Sequence, residues 1–136
     1  MSLITLIDLP VLGDERGSLV ALQRNRNIPF EIKRVYYIYG TQKGVARGFH
    51  AHKELKQVAI CLSGSCRFVM DDGVQKNEVI LNSPSQGLLI DVMQWHEMYD
   101  FSEDCILLVL ASDIYDEADY IRSYNEYIKG VSNARI

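Results

Sequence analysis

His50 and His52 occupy alternate positions in the segment Arg47-Gly48-Phe49-His50-Ala51-His52 and are two of the three histidines in the chain. On an extended strand alternate side chains share a face, so these two imidazoles project into one space. Such a pair suits two kinds of chemistry. Neutral imidazoles ligate metals, and imidazoles titrating near neutral pH move protons. The third histidine, His96, lies well downstream beside Trp95. Lys33, Arg34 and Arg47 form a local group of positive charge able to receive an anion, although the formal net charge of −4 argues against general nucleic-acid binding.

These residues need a scaffold, and the 136-residue length allows one domain with one core, spanning 1–136. Hydrophobic residues make up 48% and charged residues 24%, which is ordinary for a globular protein and excludes disorder. No apolar run approaches the roughly 20 residues of a membrane span, and no basic-then-apolar leader opens the chain. The expected location is the cytoplasm. Three cysteines, Cys61, Cys66 and Cys105, fit a reducing compartment better than a disulfide framework. A Ser63-Gly64 turn predicts a hairpin with Cys61 opposite Cys66, a pair of small apolar wall residues that could also oxidise, or chelate a metal with a histidine.

Short strand-like segments recur every eight to twelve residues, as in an all-β sandwich or barrel. They are Leu3–Leu9, Ser18–Gln23, Lys33–Tyr39, Gly48–His52, Gln57–Leu62, Ser65–Asp71, Asn77–Leu81, Gly87–Asp91, His96–Tyr99 and Cys105–Ala111. Asp71-Asp72-Gly73 predicts a second hairpin turn, and Asn82-Ser83-Pro84 a break. Ile106–Leu110 is apolar on both faces, as a strand buried inside a sheet would be. From about Glu117, apolar residues at three- and four-residue intervals (Tyr120, Ile121, Tyr124, Tyr127, Ile128) predict a short amphipathic helix on the outside of the barrel. Trp95 reads as core.

The histidines also sit in a longer frame: Gly44, five residues, His50-Ala51-His52, four residues, Gln57, six residues, Gly64. This resembles the first motif of the cupin barrels, and Gly87 followed by Trp95-His96 resembles a shortened second motif. The resemblance implies a double-stranded β-helix, the jelly-roll barrel whose mouth holds the site. Metal-binding cupins carry a glutamate where this chain has Gln57. A neutral amide removes the one anionic ligand from the set His50, His52, carboxylate and His96, and so weakens a divalent-cation site. Three imidazoles alone can hold zinc, so metal is demoted.

A narrower resemblance runs through nearly the whole chain. Asp14-Glu15-Arg16-Gly17-Ser18-Leu19, Ile28-Pro29-Phe30, Lys33-Arg34-Val35-Tyr36-Tyr37-Ile38, Arg47 to His52, Trp95-His96-Glu97-Met98, Ala111-Ser112-Asp113, Tyr115-Asp116-Glu117 and Asp119-Tyr120-Ile121-Arg122 fall in order. Together they look like the cupin nucleotide-sugar 3,4-ketoisomerases, which act on dTDP-4-keto-6-deoxyglucose in deoxyaminosugar biosynthesis. The resemblance implies a metal-free, cofactor-free isomerase, and a homodimer whose N-terminal strands are exchanged between subunits. It makes His50 the base at sugar carbon 3 and His52 the proton relay at the oxygens. Arginine forks match pyrophosphate oxygens, so Arg34 or Arg47 is expected at the diphosphate. Tyr36 is expected at a sugar hydroxyl, and Gln57 and His96 along the pocket or in structural hydrogen bonds. Arg16-Gly17 resembles the branch that forms the galacto product. A related nucleotide-sugar epimerase, a metal-dependent cupin and a non-catalytic sugar-sensing module remain the alternatives.

Overall fold

The alternating segments fold as short strands: β1 (Leu6–Asp8), β2 (Leu12–Asp14), β3 (Gly17–Leu19), β4 (Arg34–Ile38), β5 (Arg47–His52) and β6 (Gln57–Ser63). Then come β7 (Cys66–Asp71), β8 (Lys76–Leu81), β9 (Gln86–Ile90), β10 (Trp95–Tyr99), β11 (Ile106–Ala111), β12 (Tyr120–Ile121) and the α-helix α1 (Tyr124–Ala134). The structure, a computed structural model, describes residues 2–134. One sheet has the order β1-β9-β6-β11-β4 and the other β12-β5-β10-β7-β8, while β2 and β3 form a separate two-stranded ribbon. All pairings between these strands are antiparallel.

Alternation explains the layers. Inward residues of both sheets, among them Ala59, Leu88, Leu107, Val109, Phe68 and Met70, form the central core. The opposite face of the first sheet carries Val58, Ile60 and Leu110, which pack against Leu9 and Ile28. That second covering is why β11 is apolar on both faces, as it lies between β6 and β4. The outer face of the second sheet offers Ala51 and Trp95 to Tyr127 and Val131 of α1. Truncating a fully buried aromatic such as Phe68 to alanine costs about 3–5 kcal/mol. Trp95 is core, as its type suggests, but in the helix–sheet layer.

Three local expectations change. The Ser63-Gly64 turn makes no hairpin: both edges of β6 are already paired, with β9 and β11, so the chain crosses to the other sheet at Gly64. Only glycine fits there, since φ is +70° and a Cβ would meet Ser102 Oγ at 2.2 Å. Near the N-terminus, β2 and β3 turn back at Glu15-Arg16, so extended structure ends at Leu19 instead of running to Gln23.

The third change matters for the site. Glu117–Asp119 form one 3₁₀ turn, capped by the Asp116 side chain, and Tyr120–Ile121 pair with His52 and Ala51 as β12. The helix starts only at Tyr124, where Ser123 accepts from Tyr127 N. Lys53 N donates to Asp119 O at 3.0 Å, and this backbone pairing overrides the three- and four-residue periodicity. Asp71-Asp72-Gly73 does turn between paired strands, with Asp71 Oδ1 accepting from Gly73 N at 2.7 Å. Among the described residues no helix is long and apolar enough to cross a membrane.

Candidate active site

His50 and His52 share a face of β5, and the pairing of His96 with His50 brings the third histidine alongside. Ring centroids lie 4.9 Å apart for His50–His52, 4.5 Å for His50–His96 and 6.1 Å for His52–His96. His52 and His96 are buried and His50 is half-buried. His50 Nδ1 lies 3.1 Å from Gly48 O, and His96 Nδ1 lies 3.3 Å from Gln94 O. A carbonyl only accepts, so each Nδ1 carries the hydrogen and each Nε2 keeps a free lone pair.

A bulge rearranges the start of β5. Phe49 has φ +61°, and the register skips from His96↔His50 to Glu97↔Gly48 and Met98↔Arg47. Opposed residues face the same way, so Arg47 joins inward Met98 at an exposed rim. Simple alternation would place Arg47 and Phe49 together, one position out of phase with the histidines. The bulge removes that offset, and the charge of Arg47 reaches the Tyr36 phenol.

β4 and β6 supply the facing wall. The Tyr36 hydroxyl donates to Gln57 Oε1 at 2.6 Å, and Gln57 is buried. Burial, with Tyr120 adding to it, pushes the Tyr36 phenol up to about 12 against the opposing charges of Arg34 and Arg47. It stays a neutral donor at physiological pH. The Arg34 guanidinium stacks over Tyr36 at 5.1 Å, while its buried Nε and Nη2 have no hydrogen-bond partner among the described residues. Arg34, His52, Leu55, Ser112, Asp119 and Tyr120 are among the residues lining a cavity of about 200 Å³.

The segment read from sequence as the start of a helix contributes the groups that reasoning missed. Asp119 Oδ2 lies 3.4 Å from His52 Nδ1. The Tyr120 ring packs 4.3 Å from the His52 ring and 4.9 Å from the His50 ring. Arg122 covers Tyr120 at 4.3 Å and donates two hydrogen bonds to Glu117, which also accepts from the Tyr115 hydroxyl. The available signals were Asp116 as a cap and the strand-favouring Tyr120-Ile121 pair.

Burial sets the protonation states. It pulls His96 down to about 3, with His50 and His52 adding repulsion. It pulls His52 to about 4, reinforced by His50 and opposed by Asp119, and it lowers His50 as well. All three rings are neutral at pH 7, the state in which an imidazole accepts a proton. Their ligating nitrogens lie within 4.8 Å of one another. Yet Gln57 offers a neutral amide oxygen already engaged by Tyr36, and among the described residues no carboxylate joins the three histidines as a metal set. The arrangement suits proton transfer better.

Two expectations fall elsewhere. Arg16 sits at the exposed tip of the β2–β3 ribbon, paired with Asp14, and does not line the cavity of its own chain. Cys61 and Cys66 do approach, but across the barrel interior together with Cys105, all sulfurs within 4.8 Å and no histidine in the set.

Two packed antiparallel sheets with a histidine-lined mouth define a small cupin-type barrel. Within that class, residues 2–132 match the family model FdtA: WxcM-like, C-terminal, and the chain belongs to this family. It is 53% identical over 130 residues to a TDP-4-oxo-6-deoxy-alpha-D-glucose-3,4-oxoisomerase of Aneurinibacillus thermoaerophilus, covering 96% of this chain and 94% of that one. A 3,4-ketoisomerase from Helicobacter canadensis superposes with a TM-score of 0.93 at 48% identity, over 97% of this chain and 99% of that one. A sugar 3,4-ketoisomerase from Thermoanaerobacterium thermosaccharolyticum, solved with TDP, does so at 0.94 and 44%, over 98% and 97%.

Proposed function

We propose that this protein is a dTDP-4-keto-6-deoxy-D-glucose 3,4-ketoisomerase, moving the keto group from carbon 4 to carbon 3 through an enediol. The observation that carries the reading is the cluster of neutral histidines beside a half-buried arginine with two buried, unused donors, in a chain 53% identical to a 3,4-oxoisomerase. His50 removes the carbon-3 proton, acidified by the adjacent carbonyl. His52 takes the proton of the carbon-3 hydroxyl at Nε2 and delivers it to the carbon-4 oxygen. The proton held on His50 returns to carbon 4. No bond order or charge is left over, and no metal or cofactor is needed. Arg34, with Tyr36 behind it, donates to the enediolate oxygen; such donors are worth about 10²–10³ in rate. The overlap of Arg34 with His52 in one cavity favours this over the diphosphate, which is left to Arg47 at the exposed rim.

We also assign the galacto product and a homodimer, acting in the cytoplasm on a dTDP-sugar supplied for deoxyaminosugar synthesis. The dimer is supported by a β2–β3 ribbon that among the described residues pairs only with itself, exposing Leu12 and Leu19, and by Val35 and Tyr37 exposed on edge strand β4 with Tyr39 just past its end. Exchange of N-terminal segments would carry Arg16 to a second subunit. Incubation with dTDP-4-keto-6-deoxyglucose in deuterated water, followed by NMR, tests the reading. A 3-keto product of galacto configuration with deuterium at carbon 4 supports it. Unchanged 4-keto sugar defeats it, and inversion with exchange at carbon 3 or 5 marks an epimerase.

A further inference from the structure

Resting on that reading, we infer that Asp119 is a positioning residue for the isomerisation. Its carboxylate holds the His52 ring with the hydrogen on Nδ1 and the Nε2 lone pair free, and it shares the charge the ring gains while relaying a proton.

The three histidines are not equivalent. His50 and His96 each turn Nδ1 to a backbone carbonyl of their own strand, whereas His52 has no carbonyl. The 3.4 Å approach of Asp119 is an ion-pair distance, and neither ring nitrogen of His52 has an aligned hydrogen-bond partner. The carboxylate itself is fixed. Glu54 N donates to Oδ1 at 2.8 Å and Leu55 N to Oδ2 at 3.2 Å. With Lys53 N bonded to Asp119 O, three consecutive residues following His52 grip Asp119. Imidazole and carboxylate are thereby parts of one rigid unit, further tied by the Tyr120↔His52 pairing.

The relay needs this unit. When the O–H bond at carbon 3 breaks, its proton forms an N–H bond at His52 Nε2, leaving an imidazolium until that proton passes to the carbon-4 oxygen. Around His52 stand His50, His96 and Arg34, none of which welcomes a further positive charge. Asp119 does, by direct attraction in a site of low dielectric. A ring with its hydrogen on Nε2 could not accept the hydroxyl proton there at all.

The test combines histidine ¹⁵N NMR with kinetics on wild type, Asp119→Asn and Asp119→Glu. Wild-type His52 should carry its hydrogen on Nδ1. In Asp119→Asn, kcat should fall by about 10² while KM for the dTDP-sugar stays within about threefold, and deuterium exchange at carbon 3 should persist because His50 is untouched. Asp119→Glu should recover part of kcat. An Nε2–H tautomer in wild type, or an unchanged kcat in Asp119→Asn, overturns the inference. Should Asp119→Asn not fold, the wild-type tautomer decides alone. Full activity in His52→Asn would instead overturn the relay on which the inference rests.

Discussion

The Tyr36 hydroxyl and Gln57 Oε1 meet at 2.6 Å across β11, which separates β4 from β6 in one sheet, and this bond engages the amide that stands where a metal-binding barrel would carry a carboxylate. A neutral amide accepts from a neutral phenol, so no net charge is added beside three desolvated imidazoles. A carboxylate in that place would raise the affinity of its neighbours for both protons and cations.

Gln57→Glu should therefore convert the site. The variant, purified with added zinc or manganese, should retain about one divalent ion per chain and lose most isomerase activity, while wild type retains none and is indifferent to chelator dialysis. Metal analysis by mass spectrometry reads both. A metal-loaded wild type that loses activity on chelation would reverse the assignment.

His50→Asn and His52→Asn should separate the two proton paths. Loss of His50 should abolish product formation and solvent exchange at carbon 3 together. Loss of His52 should slow product by about 10²–10⁴ while some exchange survives. The double variant should be no worse than the more damaged single one, since both groups serve one reaction. Retained exchange in both single variants would mean that neither is the base, and Tyr36→Phe becomes the next variant to measure.

Stability should follow the same desolvation. His52 and His96 are lowered in the folded protein to about 4 and about 3, below the ordinary value of 6.5. Between those values the unfolded chain binds more protons than the folded one, so stability rises with pH. Lowering the pH from 7 should leave stability level to about 6.5 and then reduce it steadily toward 4, by an amount of order a few kcal/mol. Urea midpoints at pH 7, 5.5 and 4.5 measure the decline. A double replacement, His52→Asn with His96→Asn, should flatten it, and an equal decline in that variant would place the cause elsewhere.

Most of this architecture is legible in the chain. All ten strand-like segments overlap a strand, Ser18–Gln23 only at its first two residues, because alternation reports a buried face and a run apolar on both faces reports a covered strand. What alternation does not report is which strand lies next to which, so Ser63-Gly64 read as a hairpin when it is a crossing between sheets. It also passes over a bulge, and the Phe49 bulge is what turns Arg47 toward the histidines. Asp119 and Tyr120 were hidden for a related reason. They fall in a stretch whose spacing mimics a helix, and only backbone pairing with Lys53 and His52, distant in sequence, holds Asp119 in a 3₁₀ turn and draws Tyr120 out as strand. The histidine motif carried its own context, being the part of the site where function depends on neighbours two residues apart.

Arg34 and Arg47 divide the remaining work, and their environments assign it. Arg34 shares the cavity with His52, stacks on Tyr36 and keeps two buried donors unpaired. Donors so placed act most strongly on charge that develops during the reaction, because they are desolvated and already oriented. Arg47 is exposed at the rim, where a doubly charged group of the substrate is attracted equally in ground and transition states. Arg34→Gln should thus lower kcat by about 10²–10³ with KM changed by less than about fivefold. Arg47→Gln should raise KM by roughly tenfold with kcat nearly intact, and increasing salt should mimic it in wild type. Competition by dTDP alone distinguishes the two further: its inhibition constant should rise in Arg47→Gln and stay at the wild-type value in Arg34→Gln. The reverse pattern would exchange the two assignments.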